Sequence, residues 1–185
     1  KYYWFLWVDD KLIFMKLNFK AEIPKELIFE HIAEYLLHQD LKITKQDNTR
    51  PWGGFFVIQE NEAEKFIDLY FPDFTKEGLN ISGKLSPKIL IVAPEKRLSW
   101  QYHHRRAEIW KLIGGTAAVV TSDTDEEKET QYLKIGDIIQ LKPGERHRLI
   151  GLDGWGIVAE IWRHTDAKNP SDEEDIVRVQ DDFGR

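Results

Sequence analysis

The sequence predicts an all-β barrel or sandwich preceded by an N-terminal helical and strand extension. Three observations lead there. From Ser86 onward, short β-prone runs follow one another, among them Lys88-Ile89-Leu90-Ile91-Val92, Arg97 to His103, Asp137 to Leu141, Arg146 to Leu152 and Gly156 to Trp162. Gly, Pro and Asp turns separate them, the pattern of many short strands closing on one another. The long helical pattern lies ahead of this region. The 185 residues fit one domain of ordinary size, with an extension over residues 1–49 and a barrel domain over 50–185.

In chain order, Tyr2 to Val8 is apolar and aromatic but short, with no small-residue cleavage site after it, so it is not read as a signal peptide. The single methionine is Met15, and residues 1–14 are read either as lying upstream of the natural start or as an arbitrary end. Pro24 to Gln39 predicts a helix, because Leu27, Ile28, Ile32, Tyr35 and Leu36 share one face and Pro24 suits a first turn. Lys42 to Arg50 is polar and reads as loop. Arg50-Pro51-Trp52-Gly53-Gly54 is turn chemistry, and Phe55 to Gln59 a short strand. Asn61 could cap a short helix through Phe66 and Ile67, although Phe66 to Phe71 also reads as strand. Ile109 to Thr121 is a long apolar run interrupted by Gly114-Gly115. Asp123 to Glu129 is an acidic surface turn, and Gln131 to Lys134 a further short strand.

Composition narrows the function classes. With 42% hydrophobic and 31% charged residues the chain reads as a soluble globular protein. A net charge of -6 argues against a general nucleic-acid binder, and an anionic ligand would need a locally basic pocket. The absence of cysteine removes disulfides, thiolate metal sites and a cysteine nucleophile, and is compatible with the cytoplasm, the location expected. No segment approaches the ~18 consecutive apolar residues of a membrane helix, so no membrane partner is expected.

Chemistry concentrates in Gln101-Tyr102-His103-His104-Arg105-Arg106-Ala107-Glu108 and in His147, at the end of Lys142-Pro143-Gly144-Glu145-Arg146-His147. Gln101 and His103 are two apart, so on a strand they leave the same face. A turn and a return strand could bring Glu108 and His147 to the same point. Spacing alone leaves two readings: a first shell for a divalent metal with open positions, or polar residues on ordinary strands.

These residues resemble the cupin motifs. Gln101-x-His103, Glu108 and Gly115 follow the first motif, with Gln in the first His position; Gly136, Gly144 and His147 follow the second, with Lys142 in place of the usual Pro. Leu98-Ser99-Trp100-Gln101-Tyr102-His103-His104-Arg105-Arg106-Ala107-Glu108-Ile109-Trp110 is similar to the pattern of the type II phosphomannose isomerases. Gly115-Thr116-Ala117, Glu174-Asp175-Ile176-Val177-Arg178, Asp181-Asp182-Phe183-Gly184-Arg185 and Arg50-Pro51-Trp52-Gly53 extend the likeness over residues 50–185. There are departures: the Asn that often follows the second-motif His is absent, Glu160-Ile161-Trp162 stands where the family has Glu-Val-Gln, Arg163 to Ser171 differs from the family's link, and no part of the chain resembles the pyrophosphorylase domain that many members carry in front.

The resemblance implies a double-stranded β-helix, the cupin jelly roll, holding one divalent ion through Gln101, His103, Glu108 and His147. Zinc comes first for that ligand set, with Mn, Fe, Co and Ni as alternatives. It implies interconversion of mannose 6-phosphate and fructose 6-phosphate by a homodimer. Arg106 would contact phosphate or sugar oxygens, its plain alternative being a surface ion pair. Lys88, Arg178 and Arg185 complete the expected substrate contacts, the last two on a tail that packs on the barrel and closes the site unless it frays. His104 and Glu160 are the candidates for moving the proton, although His104 could face outward and Glu160 could sit in a salt bridge. Lys88, Lys111 and Arg148 could together make a basic pocket, but each also reads as solvated, with Arg148 on the face opposite His147. His31, His38 and His164 receive no role, and the tryptophans read as core or barrel-mouth packing. Two other functions stand beside the isomerase: a metal-containing cupin that binds a sugar or sugar phosphate without turnover, and an iron-dependent oxygenase, against which the Gln ligand counts.

Overall fold

The computed structural model describes residues 17–79 and 83–185; the readings made for residues 1–14, including Tyr2 to Val8, lie outside them. The chain runs β1 (Phe19–Lys20), α1 (Lys25–His38), β2 (Ile43–Asp47), β3 (Gly53–Ile58), α2 (Ala63–Tyr70), α3 (Lys76–Leu79), β4 (Lys88–Val92), β5 (Trp100–Tyr102), β6 (Arg106–Ser122), β7 (Gln131–Tyr132), β8 (Ile138–Leu141), β9 (Arg146–His164) and β10 (Val177–Gln180). All the strand pairs are antiparallel. The sheet curls into a jelly-roll barrel whose main path is β10-β5-β9-β4-β3-β2, with β6 linking β7, β8 and β9.

The 19-residue β9 organises this sheet. Along one edge it pairs with β6 from Ser122↔Arg146 to Arg106↔His164. Its other edge is shared by β5, at Gln101↔His147, and by β4, from Val92↔Gly156 to Lys88↔Glu160. Sequence reading splits β6 and β9 at their glycines; each is instead continuous, with register irregularities at Leu112/Gly114 and Gly115/Ala117. Gly115 has φ +65, and a Cβ there would lie 1.7 Å from the Trp155 carbonyl oxygen, so this crossing needs glycine.

Helix α1 matches the predicted span. It buries Ile28, Phe29, Ile32 and Leu36, while Leu27, expected on the apolar face, is exposed. Its end is a Schellman turn: Leu41 N–H donates to the Leu36 carbonyl at 2.9 Å, with Asp40 at φ 52. The stretch expected as a loop contains β2, which among the described residues is an edge strand paired with β3 alone and exposed for most of its length; its polar residues reflect exposure of both faces, not absence of structure. Phe66 and Ile67 lie on the helix α2, and Asn61 sits in the 3₁₀ turn Glu60–Glu62 ahead of it without capping it. Arg97 to His103 is strand only over Trp100–Tyr102, with one isolated bridge at Arg97↔Ile150.

Two apolar clusters follow from strand alternation. One lies between the sheet and the helices and joins Ile28, Phe29, Ile32 and Leu36 to Phe56, Ile89, Ile91, Ile157, Ala159 and Ile161. The other fills the barrel interior with Phe55, Leu90, Val92, Trp110, Leu112 and Val158. Burying each large aliphatic or aromatic side chain contributes roughly 1.5–3 kcal/mol. The cleft opens above the second cluster.

Candidate metal centre

Glu108 projects from β6, beside Leu141 on one flank and Trp162 on the other. His147 comes from the start of β9, opposite Gln101 of β5, and His103 from just beyond the end of β5. One donor atom from each of His103, Glu108 and His147 lies within 4.8 Å of the others, and all three side chains are buried. His103 Nε2 is 3.2 Å from Glu108 Oε1, and His147 Nε2 is 3.4 Å from Glu108 Oε2.

The protonation of both rings follows from their partners. His103 Nδ1 sits 2.6 Å from the Asp175 carbonyl oxygen, which can only accept, and Arg106 Nη2, which can only donate, points at Nε2 from 3.0 Å. His103 thus carries its proton on Nδ1 and turns a lone pair inward. His147 Nδ1 donates to the Glu145 carbonyl at 2.9 Å, which turns Nε2 inward. Burial lowers His103 to about 4, against the raising effect of Glu108, so the ring is neutral. Burial alone would raise Glu108, but the Arg106 guanidinium 2.7 Å away holds its carboxyl below the usual range. Glu108 Oε2 and His147 Nε2 are buried without a hydrogen-bond partner. Inward-facing ring nitrogens on both imidazoles, an ionised carboxylate and two orphaned polar atoms fit a divalent cation, with carbonyl acceptors behind the rings as metal-binding histidines require.

Gln101 lines the same cleft, its Oε1 accepting from Ser99 Oγ at 2.5 Å. Arg106 is buried and committed: Nε donates to Glu108 at 2.7 Å, Nη1 to Ser171 Oγ and the Asp172 carbonyl, Nη2 to His103, and the guanidinium lies 3.5 Å from the Trp162 ring centroid. It is therefore not the surface ion pair that sequence allowed, and it braces two of the three clustered donors.

Glu160 is also buried in the cleft, accepting from Trp110 Nε1 at 2.9 Å. Burial, then the charge of Glu108, pushes it up to about 7 against Lys88 and Arg106. Lys88 Nζ pairs with Glu173 at 2.6 Å and stands 3.3 Å from the Trp162 ring centroid; burial lowers its pKa. His104 does not join them: it is exposed, with its ring against Tyr102. Arg178 and Arg185 line the cleft mouth, on a tail that packs through β10 onto β5. Arg148 does leave the face opposite His147, but it is fully buried, because the tail and the acidic loop cover that face. It donates to the carbonyls of Leu98 and Gln180 and pairs with Glu127 at 2.7 Å.

Sequence reasoning gave no role to Asp175, Glu173 or Arg50. The Asp175 carboxylate receives the N–H groups of His104 and Arg105 and the Ser171 hydroxyl, while its carbonyl receives His103. Its place in the matched Glu174 to Arg178 stretch was the one signal available.

The family model described as mannose-6-phosphate isomerase C-terminal matches residues 59–181. The chain belongs to this family. Among its curated relatives are the alginate biosynthesis protein AlgA of Pseudomonas aeruginosa, 30% identical over 129 residues, and the xanthan biosynthesis protein XanB of Xanthomonas campestris, 29% identical over 130. Mannose-1-phosphate guanylyltransferase ManC of Salmonella typhimurium is 30% identical over 129. Each alignment covers 68% of this chain, which spans about a quarter of the relatives' length (24%, 25% and 24%). Among solved structures, the capsular polysaccharide assembling protein CapF of Staphylococcus aureus superposes with a TM-score of 0.50 at 13% identity, over 76% of this chain and 34% of that one. Hazelnut vicilin (Corylus avellana) does so at 0.51 and 15% identity, over 75% and 36%. These two likenesses are of fold alone. No helix among the described residues is long and apolar enough to cross a membrane.

Proposed function

We propose that this chain is a metal-dependent sugar-phosphate isomerase interconverting mannose 6-phosphate and fructose 6-phosphate. One observation carries the reading: in a single cleft, an ionised Glu108 meets two inward imidazole nitrogens while a second carboxyl, Glu160, is pushed up to about 7. The family's description names the same activity. Gln101, His103, Glu108 and His147 would hold the ion, zinc first among the candidates. When bound, such an ion polarises a carbonyl or hydroxyl oxygen of the sugar.

The remaining work falls to the chain's own residues. Aldose–ketose isomerisation takes a proton from one carbon and returns it to its neighbour through an enediol. Glu160 is the group for that transfer, since a carboxyl titrating near neutrality serves as both base and acid. The indole of Trp110 fixes its orientation. Arg106 positions Glu108 and His103. Trp52, Phe55 and Leu90 give the cleft apolar walls that limit water. A cytoplasmic homodimer remains part of this reading, with sedimentation of the purified chain as its check.

The deciding experiment follows fructose 6-phosphate formed from mannose 6-phosphate by metal-loaded protein, with His103→Ala as control. Turnover that vanishes in the variant supports the isomerase. No turnover with Zn, Mn, Co or Ni, in protein shown to hold the metal, would sink it in favour of a cupin that binds without reacting.

A further inference from the structure

The cleft is electrically lopsided. It is lined by five cationic side chains and three carboxylates, in a chain whose net charge is -6. Two of the carboxylates, Glu108 and Glu160, are buried at the metal end. The two buried cations are already engaged there: Arg106 has four donor contacts within the protein, and Lys88 is held by Glu173 and by the Trp162 face. The other three cations are Arg50, from the turn before β3, Arg178 of β10 and Arg185 at the chain end. Arg50 pairs with Asp47 at 2.8 Å and Arg185 with Asp181 at 2.9 Å. The Arg178 side chain makes no hydrogen bond or ion pair with any described residue. Its register partner is Gln101, which places it one strand from the metal end. Burial lowers its pKa, as do the like charges of Arg185 and Arg50, while Asp181 and Glu173 act the other way. Three guanidinium groups are thus close enough to repel, and the central one is free.

We propose that Arg178, supported by Arg50 and Arg185, is the anion site of this cleft and takes the phosphomonoester of a phosphorylated ligand; this rests on the sugar-phosphate reading above. A phosphomonoester carries about −1.5 to −2 charges and accepts paired hydrogen bonds from guanidinium forks. The three guanidinium groups attract a dianion at the mouth, which places the phosphate outward and the reacting carbons toward Glu160. The cavity, about 150 Å³, offers a small ligand little room to reverse. Arg106, the residue that sequence reading favoured for phosphate, is relieved of that role because four of its five N–H donors are engaged within the protein.

Titration of the full chain with inorganic phosphate, followed calorimetrically, tests this. Wild-type protein should bind. Arg178→Ala should weaken binding by about tenfold or more, the loss of charge-assisted hydrogen bonds, and Arg50→Ala by less. His103→Ala should retain it, because the mouth does not need the metal. Arg178 is exposed, so its variant should fold, and an unchanged circular dichroism spectrum checks that. Three results would overturn the proposal: no phosphate binding by wild type, unchanged affinity in Arg178→Ala, or binding lost in His103→Ala but kept in Arg178→Ala, which would put phosphate on the metal. Failure to turn over mannose 6-phosphate with the expected phosphate pattern intact would uphold the mouth and count against the isomerase reading alone.

Discussion

The two faces of the central sheet make opposite use of the same strands. Toward the helices, β4 and the last third of β9 present Ile89, Ile91, Ile157, Ala159 and Ile161, all fully buried and apolar. Toward the cleft, the intervening positions are Lys88, Leu90, Val158, Glu160 and Trp162. One face is a packed wall; the other gathers the ionisable groups. Their separation by one residue shows how the fold tolerates buried charge: the apolar backing fixes the register, and a slip by one position would exchange the faces entirely.

The sharpest way to break this comparison is Glu160→Gln. It should cut turnover by about 10² to 10⁴ without lowering the unfolding midpoint at pH 8. The sign follows from a carboxyl raised from its ordinary 4.5 to about 7: its ionisation opposes folding, increasingly from about pH 4.5 and fully above about 7, and the neutral amide escapes this. A large loss of stability would place Glu160 with the structural face instead. On that face, Phe56→Ala should cost about 3–5 kcal/mol in denaturant unfolding and leave the metal affinity of the folded protein unchanged, because Phe56 packs on Phe29 away from the cleft. Asp175→Asn should weaken metal binding about tenfold in competition with a chelator, since its carboxylate holds the loop that carries His103. Equal affinity would reduce Asp175 to a strut.

The smallest effect concerns acid. Burial lowers both His103 and His164 from 6.5 to about 4. Between those values the unfolded chain binds protons that the native one does not. Stability is therefore complete above about pH 6.5 and declines as pH falls toward about 4. In the Glu160→Gln background, which removes the opposing titration of Glu160, denaturant midpoints at pH 7 and pH 5 should differ in that direction, and identical midpoints would contradict it.

What the sequence made legible depended on range. Helix α1 and strand β4 could be read because their apolar periods are uninterrupted. Strands β6 and β9 looked broken because the side facing the interior changes parity along them: Glu108, Trp110 and Leu112 face inward on β6, but so do Ala117 and Val119; on β9 it is Leu149, then Val158. A bulge at Gly114 and Gly115 imitates a strand end. The clustered donors His103, Glu108 and His147 were legible through local spacing and resemblance. What braces them was not. Asp175 lies 72 residues from the imidazole its carbonyl holds, and nothing in Arg106 itself reveals that its donors are already taken.

The strap from Ser171 to Arg178 also makes the donor cluster separable from its bracing. The long pairing of β6 with β9 needs nothing beyond His164, so the strap can lift without opening the barrel. With the strap lifted, the carboxylate and both imidazoles stay in place, but the carbonyl that sets the tautomer of His103 and the hydroxyl that steadies Arg106 are gone. Local opening of this one segment would loosen a bound ion long before the barrel unfolds, so ion release would track the stability of the strap and not that of the fold.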